Sequence, residues 1–570
     1  MTKTPQTTST DPSNTSAELS EKPTQSTKAQ QNNAQNSAKN TAPKSITRRQ
    51  SRTTSTKKVA SPTAKPTPRK TQGTASNVKD ATATSSKSTA TKSTASKATA
   101  TQTVAQTNND VASKSLNKAT NKTVRASTRK ATTSTPKKEQ SMSQNTVRRV
   151  AIIGGNRIPF SRSNGAYFTA SNSDMLTAAL NGLVTRYNLQ GQRLGEVVAG
   201  AVLKHSRDFN MTRECVLDTE LSPDTPAYDV QQACATGLQS AFLVANKIAL
   251  GQIEVGIAGG VDTTSDAPIA LGDGLRKALL QLNIAKTGKD RLKALSKINV
   301  KDLMDAPKNG EPRTGLSMGD HQAITALEWN IARQDQDELA ASSHQKMAKA
   351  YEEGFFNDLM TPFMGLERDN NLRADSTAEK LAKLKPVFGK GENATMTAGN
   401  STPLTDGASV TLLASEEWAK ANGHEVLAYL TFSETAAVDF IGKAGPKEGL
   451  LLAPAYAVPR MLERAGLTLQ DFDFYEIHEA FASQVLATLK AWEDPTFCKE
   501  RLGLDKPLGS IDRSKLNVKG SSLAAGHPFA ATGGRILATA AKLLNEKGSG
   551  RALISICAAG GQGVVAIVEK

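Results

Sequence analysis

The first 150 residues of this 570-residue chain contain no Phe, Tyr, Trp, His or Cys, and the first aromatic is Phe160. Such a segment cannot bury enough apolar surface to offset the entropy of ordering it. Residues 1–146, rich in Thr, Ser, Ala, Lys, Gln and Asn with near-repeats such as KSTATKSTASKATATQT, therefore read as a disordered basic tail. Residues 1–150 hold 27 Lys and Arg against 6 Asp and Glu, whereas 151–570 hold 44 against 48. The net charge of +17 belongs to the tail and says nothing about the folded part. Two readings of the tail stand side by side. A flexible polycation suits an anionic polymer or surface through salt-sensitive contacts. A solvated tail without a dedicated partner is the blander reading, favoured because base-stacking aromatics are missing and the charges are spread thinly among hydroxyl residues.

Cysteine is equally scarce. Cys215, Cys234, Cys498 and Cys557 match no metal-ligand spacing and no disulfide framework, which excludes a stapled secreted scaffold and leaves no candidate metal ligands. The N-terminus lacks the apolar segment of a secretory signal. The longest apolar stretch, ALISICAAGGQGVVAIV (552–568), is interrupted by Gly560, Gly561, Gln562 and Gly563, and reads as two buried strands around a glycine turn. A reducing, cytoplasmic setting fits best, with mitochondrial as the minor alternative.

What is present is α/β patterning. VRRVAIIGG (147–155), GEVVAGAVL (195–203) and VGIAGGVDTT (255–264) read as strands. DMLTAALNGLVTRYNL (174–189) and the run after Cys234, closed by Gly251, read as helices. From about 271 to 394 the pattern loosens into a charged segment with the helical stretch QDELAASSHQKMAKAYEEG, which reads as an inserted loop domain. Strands and helices return in ASVTLLAS (408–415), AVPRMLERAGL (457–467) and DFYEIHEAFASQVLATLKAW (473–492). The first and last portions each carry a strand, a glycine turn and a cysteine, which suggests a duplicated half-fold.

Four segments carry chemistry. Cys234 in QQACATG precedes a helix, where the dipole and free N–H groups favour thiolate and small neighbours leave room for a substrate; a buried structural cysteine is the competing reading. His527 in AAGHPFAATGG is held between Gly526 and Pro528, as a base beside a nucleophile must be. Cys557 ends an apolar strand before a glycine turn, where a thiol can act as acid or base. His478 in IHEAFASQ is placed to stabilise an oxyanion, and Glu479 beside it to orient a neighbour or cap a helix. Cys215 and Cys498 read as structural.

The set ACATG, GLSMGD (315–320), AGNSTPLTDGA (398–408), HEAFA, GHPFAATG and CAAGGQG, in this order from about 147 to 570, resembles the thiolase family. It is most similar to the fatty-acid-oxidation branch, which includes bacterial 3-ketoacyl-CoA thiolases and the trifunctional-protein β-subunit. HEAFA supports that branch, because many biosynthetic thiolases carry Asn where this chain has His478. The resemblance implies two similar α/β halves in a five-layered α-β-α-β-α core, divided as 147–420, including the insertion, and 421–570.

By resemblance, Cys234 forms an acyl-thioester, His527 activates it, and His527 with His478 lines an oxyanion hole for carbon–carbon cleavage. Cys557 passes a proton to the leaving enolate, and the N–H groups of Cys234 and Ala559 form a second oxyanion hole. Coenzyme A is a substrate and no permanent cofactor is expected. Arg373 is expected at its nucleotide end, with Ser317, Met318, Ser401 and Thr402 along the pantetheine arm. A homodimer or homotetramer is implied, with a hydratase/3-hydroxyacyl-CoA dehydrogenase α-subunit as a further partner. Acetoacetyl-CoA thiolase in the condensing direction is the alternative within the family. A decarboxylating ketoacyl synthase fits less well, because that chemistry needs no second thiol. One departure stands out: Gly520-Ser521-Ser522 replaces the paired glycines usual before the histidine loop, and a side chain there is expected to narrow the site or shift the loop.

Overall fold

In the computed structural model, residues 147–299, 301 and 303–570 are described; the tail readings for 1–146 lie outside them. The N-terminal half supplies β1 (Val150–Arg157), β2 (Ser161–Arg162), β3 (Glu196–Ala199), β4 (Ala227–Asp229) and β5 (Val255–Asp262). Two short pairs follow, β6 (Ala270–Leu271) with β7 (Met304–Asp305) and β8 (Pro386–Phe388) with β9 (Met396–Thr397). The main sheet resumes with β10 (Thr405–Ser415), then β11 (Ala428–Ala437), β12 (Phe474–Ile477), β13 (Arg551–Ala558) and β14 (Gln562–Glu569). Among the described residues no strand between β5 and β10 joins the main sheet, though Met360 forms an isolated bridge with Arg157 of β1. The apolar 552–568 stretch is indeed a hairpin, β13 antiparallel to β14. Among the described residues no helix is long and apolar enough to cross a membrane.

The strand order shows the duplication. Along the hydrogen-bonded path, β1-β10-β5-β3 in the first half matches β11-β14-β13-β12 in the second, with the same pattern of antiparallel and parallel pairs. β1 also pairs with β11 through Ala151↔Tyr429 and Ile152↔Ala428, joining the halves. The first half alone adds β4, parallel to β3.

Side-chain alternation along the strands builds the layers. Ala151 and Ile153 of β1 pack with Leu176, Leu180 and Leu183 of the outer helix Asn172–Arg186, while Val150 and Ile152 turn to the opposite cluster. That central cluster contains Leu238, Ala241, Phe242, Ala245 and Ile248 of the helix Thr236–Ala249, which recur at helical spacing, and Ile536, Leu537, Ala540 and Leu544 of the helix Thr532–Lys547. On β13 and β14, Ile554, Ala566 and Val568 face these two helices, while Leu553, Val565 and Ile567 face the outer helices Ala453–Ala465 and Ala482–Glu493. Helices therefore alternate with sheet in five layers, and two central helices carry sheet on both sides.

One predicted strand is shorter than its apolar run. GEVVAGAVL leaves the sheet after Ala199, because the N–H groups of Val202 and Leu203 donate to the Asp262 carboxylate instead of to a neighbouring strand.

Candidate active site

Cys234 lies in a tight turn between β4 and the central helix Thr236–Ala249. Ala233 before it has φ +47°, a left-handed conformation that costs a residue with a Cβ roughly 1–2 kcal/mol. The turn is tied down on both sides: Thr236 Oγ1 accepts from Gln232 N at 2.8 Å and donates to Ala233 O at 2.8 Å. Across the halves, the Gln232 side-chain amide donates to Gln562 Oε1 at 2.8 Å. The strain is thus held by local bonds and aims the thiol out of the turn.

His527 approaches from the other half, on the loop ahead of the second central helix, Thr532–Lys547. Two glycines permit the approach. A Cβ on Gly237 would stand 2.6 Å from Ala530 O, and one on Gly533 would stand 2.2 Å from Leu238 N. The first turns of the two central helices consequently touch backbone to backbone. Asp262, at the end of β5, fixes the same loop: its carboxylate accepts from Ala530 N at 2.9 Å as well as from Val202 and Leu203. Burial pushes the Asp262 carboxyl up to about 7.

Cys234, His527, Cys557 and Ala559 line one cavity of about 390 Å³ with Met318, Ser401 and Thr402. The His478 ring lies behind His527, with centroids 4.2 Å apart, and is fully buried. His478 Nδ1 bonds Ser522 Oγ at 2.8 Å and His527 Nδ1 bonds Thr532 Oγ1 at 2.5 Å. The Nε2 atoms of both rings are buried without a protein partner. A buried polar atom normally finds one; His527 lines the cavity with both thiols, whereas His478 stands behind it, outside the cavity lining. Burial, reinforced by Arg535, pushes the His527 imidazole down to about 3, and burial lowers His478 well below its ordinary value. Both rings are neutral at physiological pH.

The thiols differ from the sequence expectation in charge. The helix N-terminus does not depress Cys234. Burial pushes it up to about 12, outweighing the N–H groups of Ala559 and of Cys234 itself, which pull the other way. Burial and the neighbouring Cys234 raise Cys557 well above the usual thiol range. The resting pair is thus a thiol and a neutral imidazole. The backbone N–H of Ala559 lies at the Cys234 thiol.

The remaining predicted residues divide. Ser401 Oγ is buried and unpartnered at the cavity wall, free to bond a ligand. Thr402 Oγ1 is already donated to Ala480 O at 3.1 Å. Ser317 caps the helix Met318–Glu328 through its bond with Asp320, and only Met318 of that pair lines the cavity. Arg373 is exposed and outside the cavity lining, its backbone N–H donating to His344 Nδ1. Ser521 does not narrow the site: its side chain is fully buried away from the cavity, accepting from Arg535. Glu479 is neither free nor a helix cap. It accepts from Ser343, Asn517 and Leu523 N, and so anchors the loop that carries Ser522. Cys215 and Cys498 are buried against backbone carbonyls, away from the cavity.

Sequence reasoning missed four supports. Asp262 and Thr532 hold the His527 loop and ring. Glu311, buried, accepts from Gly560 N at 2.5 Å and fixes the turn after Cys557. Arg535 stands behind Ser522. Asp262 and Glu311 act across 268 and 249 residues, which local wording cannot reveal, and only the GHPFAATGG wording gave a signal, for Thr532.

Comparison with known proteins agrees with this geometry. The profile of the thiolase N-terminal domain matches residues 150–417, and that of the thiolase C-terminal domain matches 433–570. A 3-ketoacyl-CoA thiolase of Pseudoalteromonas translucida (strain TAC 125) is 42% identical over 429 residues, covering 74% of this chain and 97% of its own. Among solved structures, a Bacillus anthracis acetyl-CoA acetyltransferase is 31% identical with a TM-score of 0.61, covering 75% of this chain and all of its own. Human mitochondrial 3-ketoacyl-CoA thiolase in complex with CoA is 27% identical with a TM-score of 0.61, covering 75% of this chain and 98% of its own.

Proposed function

The chain belongs to the thiolase family, and from that premise we propose that it is a 3-ketoacyl-CoA thiolase, cleaving 3-ketoacyl-CoA with CoA to acetyl-CoA and an acyl-CoA two carbons shorter. The observation that carries this reading is the meeting of two thiols with two neutral imidazoles whose Nε2 atoms have no protein partner.

The residues support the following division of work. His527 Nε2 takes the Cys234 proton as sulfur attacks the 3-keto carbon. The C2–C3 bond then breaks, its electron pair passing into the enolate of the departing acetyl-CoA. His478, and His527 once protonated, donate to the enolate oxygen, and Cys557 gives its proton to C2. That leaves an acyl-thioester on Cys234 and a thiolate at Cys557. Incoming CoA returns a proton to Cys557 and attacks the thioester. The N–H groups of Cys234 and Ala559 hold the tetrahedral oxyanion, and Cys234 leaves as sulfur and recovers its proton from His527. Two separate acid/base groups are needed because the nucleophile's base is occupied when the enolate must be protonated. Ser401 Oγ is the best-placed free hydroxyl for the pantetheine arm.

Degradative use in β-oxidation, in a cytoplasmic setting, as a homodimer or homotetramer beside a hydratase/dehydrogenase partner, is part of the same proposal. Thiolysis kinetics with acetoacetyl-CoA and a long-chain 3-ketoacyl-CoA test it. Preference for the long chain supports it, preference for the four-carbon substrate moves the protein to acetyl-CoA condensation, and inactivity on both overturns it.

A further inference from the structure

Behind the two imidazoles lies a buried set of side chains that the reaction scheme does not use. Arg535, on the second central helix, is 3% exposed. Its Nη2 donates to Ser522 Oγ at 2.9 Å and to Ser521 Oγ at 3.2 Å, so both hydrogens of that nitrogen are engaged. Ser522 Oγ in turn meets His478 Nδ1 at 2.8 Å. All three serine and histidine side chains are fully buried.

Counting protons decides the direction of the last bond. A guanidinium only donates, so Ser522 is an acceptor towards Arg535. Its single hydroxyl hydrogen then has one polar neighbour among the described residues, His478 Nδ1. If Nδ1 carried the ring proton, Ser522 would accept twice and its own hydrogen would be buried without an acceptor, a cost of the kind buried polar groups avoid. With Nδ1 as acceptor, the ring proton sits on Nε2, the unpartnered atom. We propose that Arg535 and Ser522 form a relay that locks His478 in the Nε2–H tautomer, making it a permanent hydrogen-bond donor to the enolate oxygen. This rests on the thiolase reading above.

His527 provides the contrast. Its Nδ1 partner, Thr532 Oγ1, receives no bond from a guanidinium among the described residues, so no fixed donor dictates which of the two holds the shared proton. A ring that must gain and lose a proton at Nε2 needs this freedom, whereas a ring that must always donate needs the opposite. The Arg535 charge also opposes protonation of both rings, so His478 donates as a neutral imidazole. Ser521, placed where a glycine is usual, gives the guanidinium a second acceptor and keeps Nη2 turned towards Ser522. Ser522 and Arg535 are positioning residues, since they act only through the His478 ring.

The test joins kinetics to a spectroscopic signature. In wild-type protein labelled with 15N-histidine, long-range 1H–15N correlation, assigned with a His478→Asn variant, should show His478 as Nε2–H. A dominant Nδ1–H form would overturn the relay. In Ser522→Ala, thiolysis kcat should fall about 10- to 100-fold, the range of one oxyanion donor or less, with KM little changed. Exchange of label between acyl-CoA and CoA should stay near wild type, because that step uses the backbone hole at Cys234 and Ala559. Retained exchange also shows that the variant is folded. Equal loss of both activities in a folded variant would overturn the proposal, as would unchanged thiolysis. If Ser522→Ala does not fold, the wild-type spectrum decides alone. Wild-type protein inactive in thiolysis but showing Nε2–H would sink the enzymatic reading and leave the hydrogen-bond relay standing.

Discussion

The two halves of the molecule share one strand order yet give the site different things. In each, a central helix follows a loop carrying a reactive side chain: Cys234 before Thr236–Ala249, His527 before Thr532–Lys547. In each, the matching sheet strand ends at a group facing that meeting point: Asp262 on β5, Cys557 on β13. The structural counterpart of Cys234 is therefore His527, not the cysteine-to-cysteine match that the sequence suggests, while Asp262 and Cys557 lie near the ends of matching strands but on opposite faces of the sheet. Cys234 and His527, the proposed nucleophile and base, occupy equivalent posts on opposite halves, facing each other across the central layer. The groups near the strand ends differ as well: Asp262 anchors the His527 loop, and Cys557 lines the cavity as the proposed proton carrier. A duplicated scaffold has become a divided set of tools by changing what sits ahead of its two central helices and near the ends of two matching strands.

The largest effect that would sharpen this comparison is loss of the nucleophile. Cys234→Ala should remove thiolysis by on the order of 10⁶-fold, the scale reported when a covalent nucleophile is deleted, and should also end acyl exchange with CoA. Measurable exchange in that variant would break the pairing of Cys234 with His527.

Cys557→Ala should lower thiolysis by about 10²–10⁴-fold, as for loss of a general acid, while acyl exchange from acyl-CoA survives, because no enolate forms in that half-reaction. Parallel loss of both would mean that Cys557 shares the nucleophile's role.

Gly533→Ala pushes a Cβ to 2.2 Å from Leu238 N, a backbone atom. It should destabilise the fold by about 1–3 kcal/mol and separate Cys234 from His527, lowering kcat along with Tm. An unchanged Tm in thermal unfolding would show that the central helices are not held by this contact.

The smallest effect concerns Glu476 of β12, whose carboxylate oxygens are buried without partners and whose carboxyl burial pushes up to about 8. The native state keeps this proton while the unfolded state releases it. Its contribution to stability is present below about 4.5 and is lost as pH rises through about 8. The Tm advantage of Glu476→Gln over the native protein should therefore grow from pH 5 to pH 9. A pH-independent difference would contradict the assignment.

Much of this was legible in the chain. The hydrophobic periods of β1, β5 and β10 and of Asn172–Arg186 and Thr236–Ala249 placed those elements, because their apolar residues recur on the faces they bury. Cys234, His478, His527 and Cys557 could be read from local wording, since a reactive group needs small or turn-forming neighbours within a few residues. The charge of the Cys234 thiol was misread from a local rule: the helix dipole acts over one turn, but burial by both halves outweighs it. Asp262 and Glu311 were invisible because their partners, Ala530 and Gly560, become neighbours only when the other half or the insertion closes on the site, and Arg535 because Ser522, 13 residues earlier, meets it only once the histidine loop folds back on the helix. The same reasoning explains Ser521. Read alone it looked like an obstruction, yet its hydroxyl points to a guanidinium that the sequence does not place near it.

The central claim is that Cys234 carries the acyl group between the two half-reactions. The most direct measurement is to mix the enzyme with a 3-ketoacyl-CoA in the absence of CoA, quench in acid, and map the added mass by peptide mass spectrometry. The account predicts an acyl group of the substrate's length less two carbons on the peptide containing Cys234, absent in Cys234→Ala and present in native protein. An acyl group on the Cys557 peptide, or acetyl-CoA released with no covalent intermediate, would contradict it.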